Sequence, residues 1–177
     1  MHRLRRRLDH GAQAATGPVR AVWIAAQDDY GEDGRLLRLD PATMAVTGSL
    51  PAPAASTDVD VDSAGTLWTG SFSGVFRITQ DGRLSRVRTL GRWPSVAVNR
   101  FAAWTVDHAA RGTRQGPVIT PRLQRVDLRT GAWVGRPLIL GTLLRSGARN
   151  RIRIRGGSAW IAGPGLGEIT RVYLPAR

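Results

Sequence analysis

The chain has 177 residues, which suits one domain with a real core. Its formal charge is +13, all 26 basic residues are Arg, and Lys is absent. It has no Cys, which excludes disulfides, thiolate metal sites and a Cys nucleophile, while leaving either redox compartment open.

The first 20 residues open on Met1-His2-Arg3-Leu4-Arg5-Arg6-Arg7, a basic stretch with no apolar core after it. It is neither a signal peptide nor a membrane span, and the longest apolar stretch, Pro137 to Leu144, is too short to cross a bilayer. The sequence as written therefore reads as cytoplasmic, or as extracytoplasmic if the start is misassigned. Residues 1–20 are expected to be a disordered basic segment.

From residue 21 onward the chain repeats. Trp23, Trp68, Trp104 and Trp160 each sit in a short apolar strand, 45, 36 and 56 residues apart. A recurrence on this scale marks a propeller or solenoid. After each Trp comes an Arg strand: Leu37-Arg38-Leu39, Phe76-Arg77-Ile78, Gln124-Arg125-Val126 and Thr170-Arg171-Val172. Three of these lead into turn signals, at Asp40-Pro41-Ala42-Thr43, Gln80-Asp81-Gly82 and Arg129-Thr130-Gly131. Before three of the Trps stands an alternating strand: Asp58 to Asp62, Ser95 to Asn99 and Arg151 to Arg155. A looser outer strand follows over Met44 to Leu50, Arg83 to Leu90 and Ala132 to Leu140.

Four antiparallel strands in about 40–50 residues make a propeller blade. The predicted fold is thus an all-β propeller of about four four-stranded blades, over 21–56, 57–94, 95–149 and 150–177. The first unit lacks a clear alternating strand and the last stops after its Arg strand. Two architectures are open: a closed four-bladed ring completed by residues 1–20, or a piece of a larger propeller. Incomplete blades would expose sheet edges and invite self-association.

The phrases Asp62-Ser63-Ala64-Gly65-Thr66-Leu67-Trp68-Thr69-Gly70 and Arg38-Leu39-Asp40-Pro41-Ala42-Thr43 resemble repeats of the streptogramin lyase-like, NHL and YVTN propellers. The resemblance covers Ala21 to the C-terminus. It implies a propeller fold and leaves enzymes, binding modules and surface proteins all open.

Function should lie on the loops at one end of the blades. The acidic run Asp28, Asp29, Tyr30, Glu32 and Asp33 offers oxygens to Ca²⁺ or Mg²⁺, with a solvated hairpin tip as the simpler reading. Asp58, Asp60 and Asp62 lack the Gly and Glu that a calcium loop needs after them, since Ser63 and Thr69 stand there. They read instead as an acidic inner strand. Arg151, Arg153 and Arg155 form the matching basic stripe, able to grip carboxylates or phosphates. The two stripes are expected to face each other across the channel or between chains.

His108, in the expected loop Asp107 to Pro121, is the one general-base candidate outside the tail. Streptogramin lyases use His, Glu and a divalent metal, and the resemblance points at His108 and Glu32. The Trp strands lack the acidic partners common in those repeats. Trp93, Tyr30 and Arg111 are further contact candidates on this end. No nucleophile elbow, zinc-protease helix, P-loop or dinucleotide fingerprint is present.

Charge is unevenly spread. Residues 22–66 carry two Arg against eight carboxylates, and residues 103–177 carry thirteen Arg against three. Abundant Ala, Gly, Pro and Arg without Lys matches the codon drift of a GC-rich bacterial genome, so the basicity argues little for nucleic acid. The leading functional reading is a non-catalytic binding or scaffold domain for a protein, peptide or carbohydrate, without a cofactor. The alternatives are a metal-dependent lyase or lactonase-like enzyme and an Arg-rich polyanion binder.

Overall fold

A computed structural model describes residues 14–16, 21–26, 34–56, 58–87, 92–113, 116–141, 150–163 and 169–175. Every regular element among them is a β-strand, so no described helix is long and apolar enough to cross a membrane.

Among the described residues, fifteen strands form four antiparallel sheets. Blade 1 is β1 (Ala14–Thr16), β2 (Val22–Ala26), β3 (Gly34–Leu39) and β4 (Val46–Ala52). Blade 2 is β5 (Asp58–Val61), β6 (Leu67–Ser71), β7 (Gly74–Ile78) and β8 (Leu84–Val87). Blade 3 is β9 (Arg92–Val98), β10 (Ala103–Thr113), β11 (Gly116–Val126) and β12 (Trp133–Ile139). Blade 4 is β13 (Arg151–Arg155), β14 (Ser158–Ala162) and β15 (Ile169–Tyr173). Each is a simple meander, so the propeller class is as expected.

Register puts the repeat columns side by side. Trp23 pairs with Arg38, Trp68 with Arg77, Trp104 with Arg125 and Trp160 with Arg171. Directly opposed residues share a sheet face, so each Trp and its Arg look toward the same neighbour.

The N-terminal boundary needs correcting. Ala14–Thr16, inside the segment expected to be disordered, is the inner strand of blade 1, pairing Ala15 with Trp23. Three residues are too short to show alternation, and pairing to the Trp strand defines them instead.

Blades stack in chain order. β5 lies against β1 and β2, β9 against β5 and β6, and β13 against β9 and β10. Among the described residues no packing of like extent joins blade 4 to blade 1, so the four described sheets stack as a series. The core is three inter-blade layers. Leu36, Val59, Leu67 and Ile78 fill the first, Trp68, Val75, Val96 and Val126 the second, and Trp104, Leu123, Ile152 and Ile161 the third. Burying one such aliphatic side chain is worth about 1.5–3 kcal/mol, and here that gain exists only if the neighbouring blade is present.

The Trp column reports how completely each face is covered. Trp68 is 0% exposed, Trp104 is 7% and Trp160 is 39%, the last on the blade with no described successor.

Turns follow the expected chemistry. Asp40 Oδ1 accepts from the amides of Ala42 and Thr43 at 2.8 and 2.9 Å, and Asp127 Oδ1 accepts from Thr130 N at 2.7 Å. These amide bonds hold both carboxyls below their ordinary range. Such turns end on a left-handed residue, Gly82 (φ 82°) or Gly131 (φ 70°), and in blade 1 on Met44 (φ 55°).

Asp62 serves as a turn anchor. Its Oδ1 accepts from Ala64 N and Thr66 N, each at 2.9 Å, and its Oδ2 from Trp68 Nε1 at 3.1 Å. Removing that carboxylate orphans a buried indole N–H and two amides. Asp62→Ala is expected to cost about 2–4 kcal/mol in a urea unfolding series, and a loss under 1 kcal/mol would refute this role.

Candidate functional site

The inner strands begin, and the Trp strands end, at one common end of the blades. Asp58 opens β5 opposite Gly70, and Ser95 near the start of β9 donates its hydroxyl to the Asp58 carboxylate. Thr69 Oγ1 donates to Asp58 O at 2.6 Å. In blade 3, Asp107 and Arg122 are direct cross-strand partners. Arg122 Nε donates to Asp107 Oδ1 at 3.1 Å, with Nη2 at 3.0 Å from the same oxygen. Both side chains are largely buried, so this is an ion pair removed from water.

Breaking one side of such a pair leaves a buried charge. Arg122→Met is expected to cost about 3–5 kcal/mol in denaturant unfolding, whereas Arg122→Met with Asp107→Asn should recover much of it. Equal losses in the single and double variants would mean that the ion pair does not matter.

His108 lies beside this pair, and here the structure corrects the expected loop. Residues 107–113 and 116–121 extend β10 and β11 into a long hairpin, with His108 opposite Pro121. The β-branched run Val118-Ile119-Thr120 and the Asp107–Arg122 pair favour pairing over an open loop. Asn150, just before β13, places Nδ2 2.8 Å from His108 Nε2 and donates to the neutral ring.

Burial holds the His108 pKa below its ordinary value, aided by Arg122 and opposed by Asp107. The unfolded chain then binds this proton more readily than the folded one. Stability from His108 is complete above its unfolded pKa of about 6.5 and falls as the pH drops through the window below it. Melts at pH 7.5, 6 and 5 should show this loss, and His108→Gln should flatten it. An identical pH profile in His108→Gln would contradict this assignment.

The remaining candidates divide. Asp28, Asp29, Tyr30, Glu32 and Asp33 lie outside the described residues, so the acidic metal run and the His108–Glu32 pair gain no geometry. Trp93 is in β9 and not in a loop, paired within the sheet through its neighbour Arg92 opposite His108. Arg111 is exposed on the hairpin extension, away from the ion pair. Among the described residues, no group of three His, Asp or Glu is placed to hold a metal ion. Asp107, Arg122 and Asn150 were not singled out by sequence. Their signal, a carboxylate and a guanidinium on facing strands, becomes visible only once the hairpin register is known.

The Arg stripe leads to a second surface. Arg151, Arg153 and Arg155 are exposed on β13 and share a face with Trp160, Arg171 and Tyr173. The Arg171 guanidinium carbon stands 4.9 Å from the Trp160 ring centre and 4.5 Å from that of Tyr173. Its Nε donates to Ser158 Oγ at 3.1 Å.

Blade 2 shows what covers the equivalent face. Arg77, 5.8 Å from the Trp68 ring centre, donates through Nη1 to Leu128 O at 3.1 Å and Arg129 O at 2.8 Å, both on blade 3. Asp60 Oδ2 accepts from Val98 N of β9 at 2.7 Å. The mid-strand Arg is thus a blade-to-blade clamp in blade 2, as its recurrence suggests. The Asp stripe bonds mainly to the next inner strand and to its own turn. At Asp60 burial raises the carboxyl pKa, the amides of Val98 and Val61 oppose this, and the Arg153 charge adds to them.

No protein-family model matches this chain, and no curated protein matches it. Solved structures do match. One is a structural-genomics crystal structure of a protein from Lactobacillus plantarum, 15% identical with a TM-score of 0.42, over 92% of this chain and 56% of that protein. The chain therefore spans little more than half the length of that protein.

Proposed function

We propose that this chain is a binding or scaffold module of the streptogramin lyase-like, NHL and YVTN type, which docks an acidic protein or peptide segment on the outward face of blade 4. The carrying observation is the substitution of donors for acceptors at equivalent positions. In blade 2, Asp58 and Asp60 accept from the strand laid over them; in blade 4 those positions are Arg151 and Arg153. A segment lying on blade 4 must then supply carboxylates. Exposed Trp160 and Tyr173 around Arg171 add the aromatic and Arg surface that binding patches favour. At the end where the inner strands begin, Asp107 is committed to Arg122 and His108 to Asn150, which supports binding over acid–base chemistry.

The test is fluorescence anisotropy with a labelled twelve-residue peptide of alternating Asp and Val. Saturable binding is expected, weakening with salt, and at least about tenfold weaker in Arg151→Glu/Arg155→Glu. Arg153 is left intact because its charge acts on Asp60. No binding, or equal binding by the double variant, would end this reading. A self-associated wild type that the double variant renders monomeric would make a second copy the occupant.

A further inference from the structure

The three inter-blade junctions are not equally filled. Between blades 1 and 2 lies a cleft of about 250 Å³ walled by Trp23, Arg38, Gly48, Leu50, Leu67 and Gln80. We propose that this cleft is a binding site for a small monocarboxylate with a single apolar ring, independent of the blade 4 surface.

The argument rests on comparing equivalent positions. In blade 2, Ser85 stands opposite Arg77 and accepts from its Nε at 3.3 Å, while the Arg77 head is capped by two carbonyls of the next blade's turn. Trp68 beneath is fully buried. In blade 1 the residue opposite Arg38 is Gly48, where an added Cβ would meet nothing within 4 Å. Among the described residues no carbonyl of the corresponding turn caps Arg38, and the Gln80 side-chain amide donates to Ala64 O at 3.4 Å. Among the described residues, no hydrogen bond, ion pair or ring contact engages the Arg38 guanidinium. The missing side chain and the missing cap leave a cavity with one uncommitted cation at its wall.

The lining sets the ligand class. Leu67 and Trp23 give an apolar floor, and the lining contains no carboxylate to neutralise Arg38. A guanidinium fork recognises a carboxylate by two parallel hydrogen bonds. A single cation suits a monoanion, and the indole face suits a ring. The volume is just below the range of about 300–1,000 Å³ usual for drug-sized ligands, so one ring fits better than two.

The experiment is calorimetric titration of the whole chain with 3-phenylpropionate at low salt, with 3-phenylpropionamide as the uncharged control. Saturable binding of the acid is expected, with the amide at least about tenfold weaker, since a charge-assisted contact is lost. Arg38→Met should weaken binding at least about tenfold. Gly48→Leu, which fills the cleft from its open side, should abolish it. Arg136→Met, at an exposed Arg of β12 outside both surfaces, should bind like wild type. Thermal melts establish that each variant is folded, and either Arg38→Met or Gly48→Leu alone decides the matter if the other is not. Absence of saturable binding at low millimolar ligand overturns the proposal. So does wild-type affinity in a folded cleft variant, or an equal loss in Arg136→Met.

Discussion

Everything in this molecule depends on the contact between one blade and the next. A four-stranded sheet has two faces, and blade 2 is apolar on both. Val59, Leu67 and Ile78 point back to blade 1, while Trp68, Val75 and Val87 point forward to blade 3. Dispersion and burial would allow the sheets to slide. Direction comes from the clamp: Arg77 reaches forward to Leu128 O and Arg129 O, and Asp60 takes the Val98 N–H. The second bond also settles a polar problem. The inner strand is an edge strand whose outward N–H groups lack a ladder partner, and a carboxylate from the preceding blade satisfies one of them.

Against this frame, chemistry arises where a blade departs from the pattern. The position of Asp60 is Ala97 in blade 3 and Arg153 in blade 4, each paired with its Trp. Ala97 is silent, whereas Arg153 inverts the polarity of the surface. The position of Ser85 is Gly48 in blade 1, and a lost hydroxymethyl group becomes a cavity. The Arg153 change lies outside the hydrophobic layers, and the Gly48 cavity opens at the margin of the first, where Leu67 stays fully buried.

Much of this fold was legible in the sequence because the signals repeat. Four Trp strands and four Arg strands appear where their columns place them; the outer strands over 84–87 and 133–139 lie within the expected runs, and that over 46–52 overlaps the expected 44–50 and runs two residues past it. Two elements were not. Ala14–Thr16 has no periodicity of its own, and the hairpin beyond Asp107 carries Gly112, Gly116, Pro117 and Pro121, which read as loop punctuation. The polar network was illegible for a different reason. Asp58 with Ser95 and His108 with Asn150 are contacts between blades, 37 and 42 residues apart, and strand patterns alone say nothing about which blade ends meet. The free Arg38 was hidden by its own column, since recurrence predicts the shared role and not the exception.

The third junction shows how far the clamp is a property of two blades. Trp104 Nε1 and Arg125 Nε are buried there without an acceptor among the described residues. In blade 2 the equivalent Arg is capped by the turn that follows the next blade's Arg strand. Blade 4 is described through its Arg strand, β15, and two residues beyond. An Arg in this column is satisfied from two sides: in blade 2 its Nε donates to Ser85 of its own outer strand and its Nη1 to the turn of the next blade, whereas Arg125 stands opposite Val134, which offers its Nε no acceptor. A buried donor left open costs about 1–3 kcal/mol, comparable to the gain from one core aliphatic. The energy of the array is thus shared between each blade's own strands and its junction with the next.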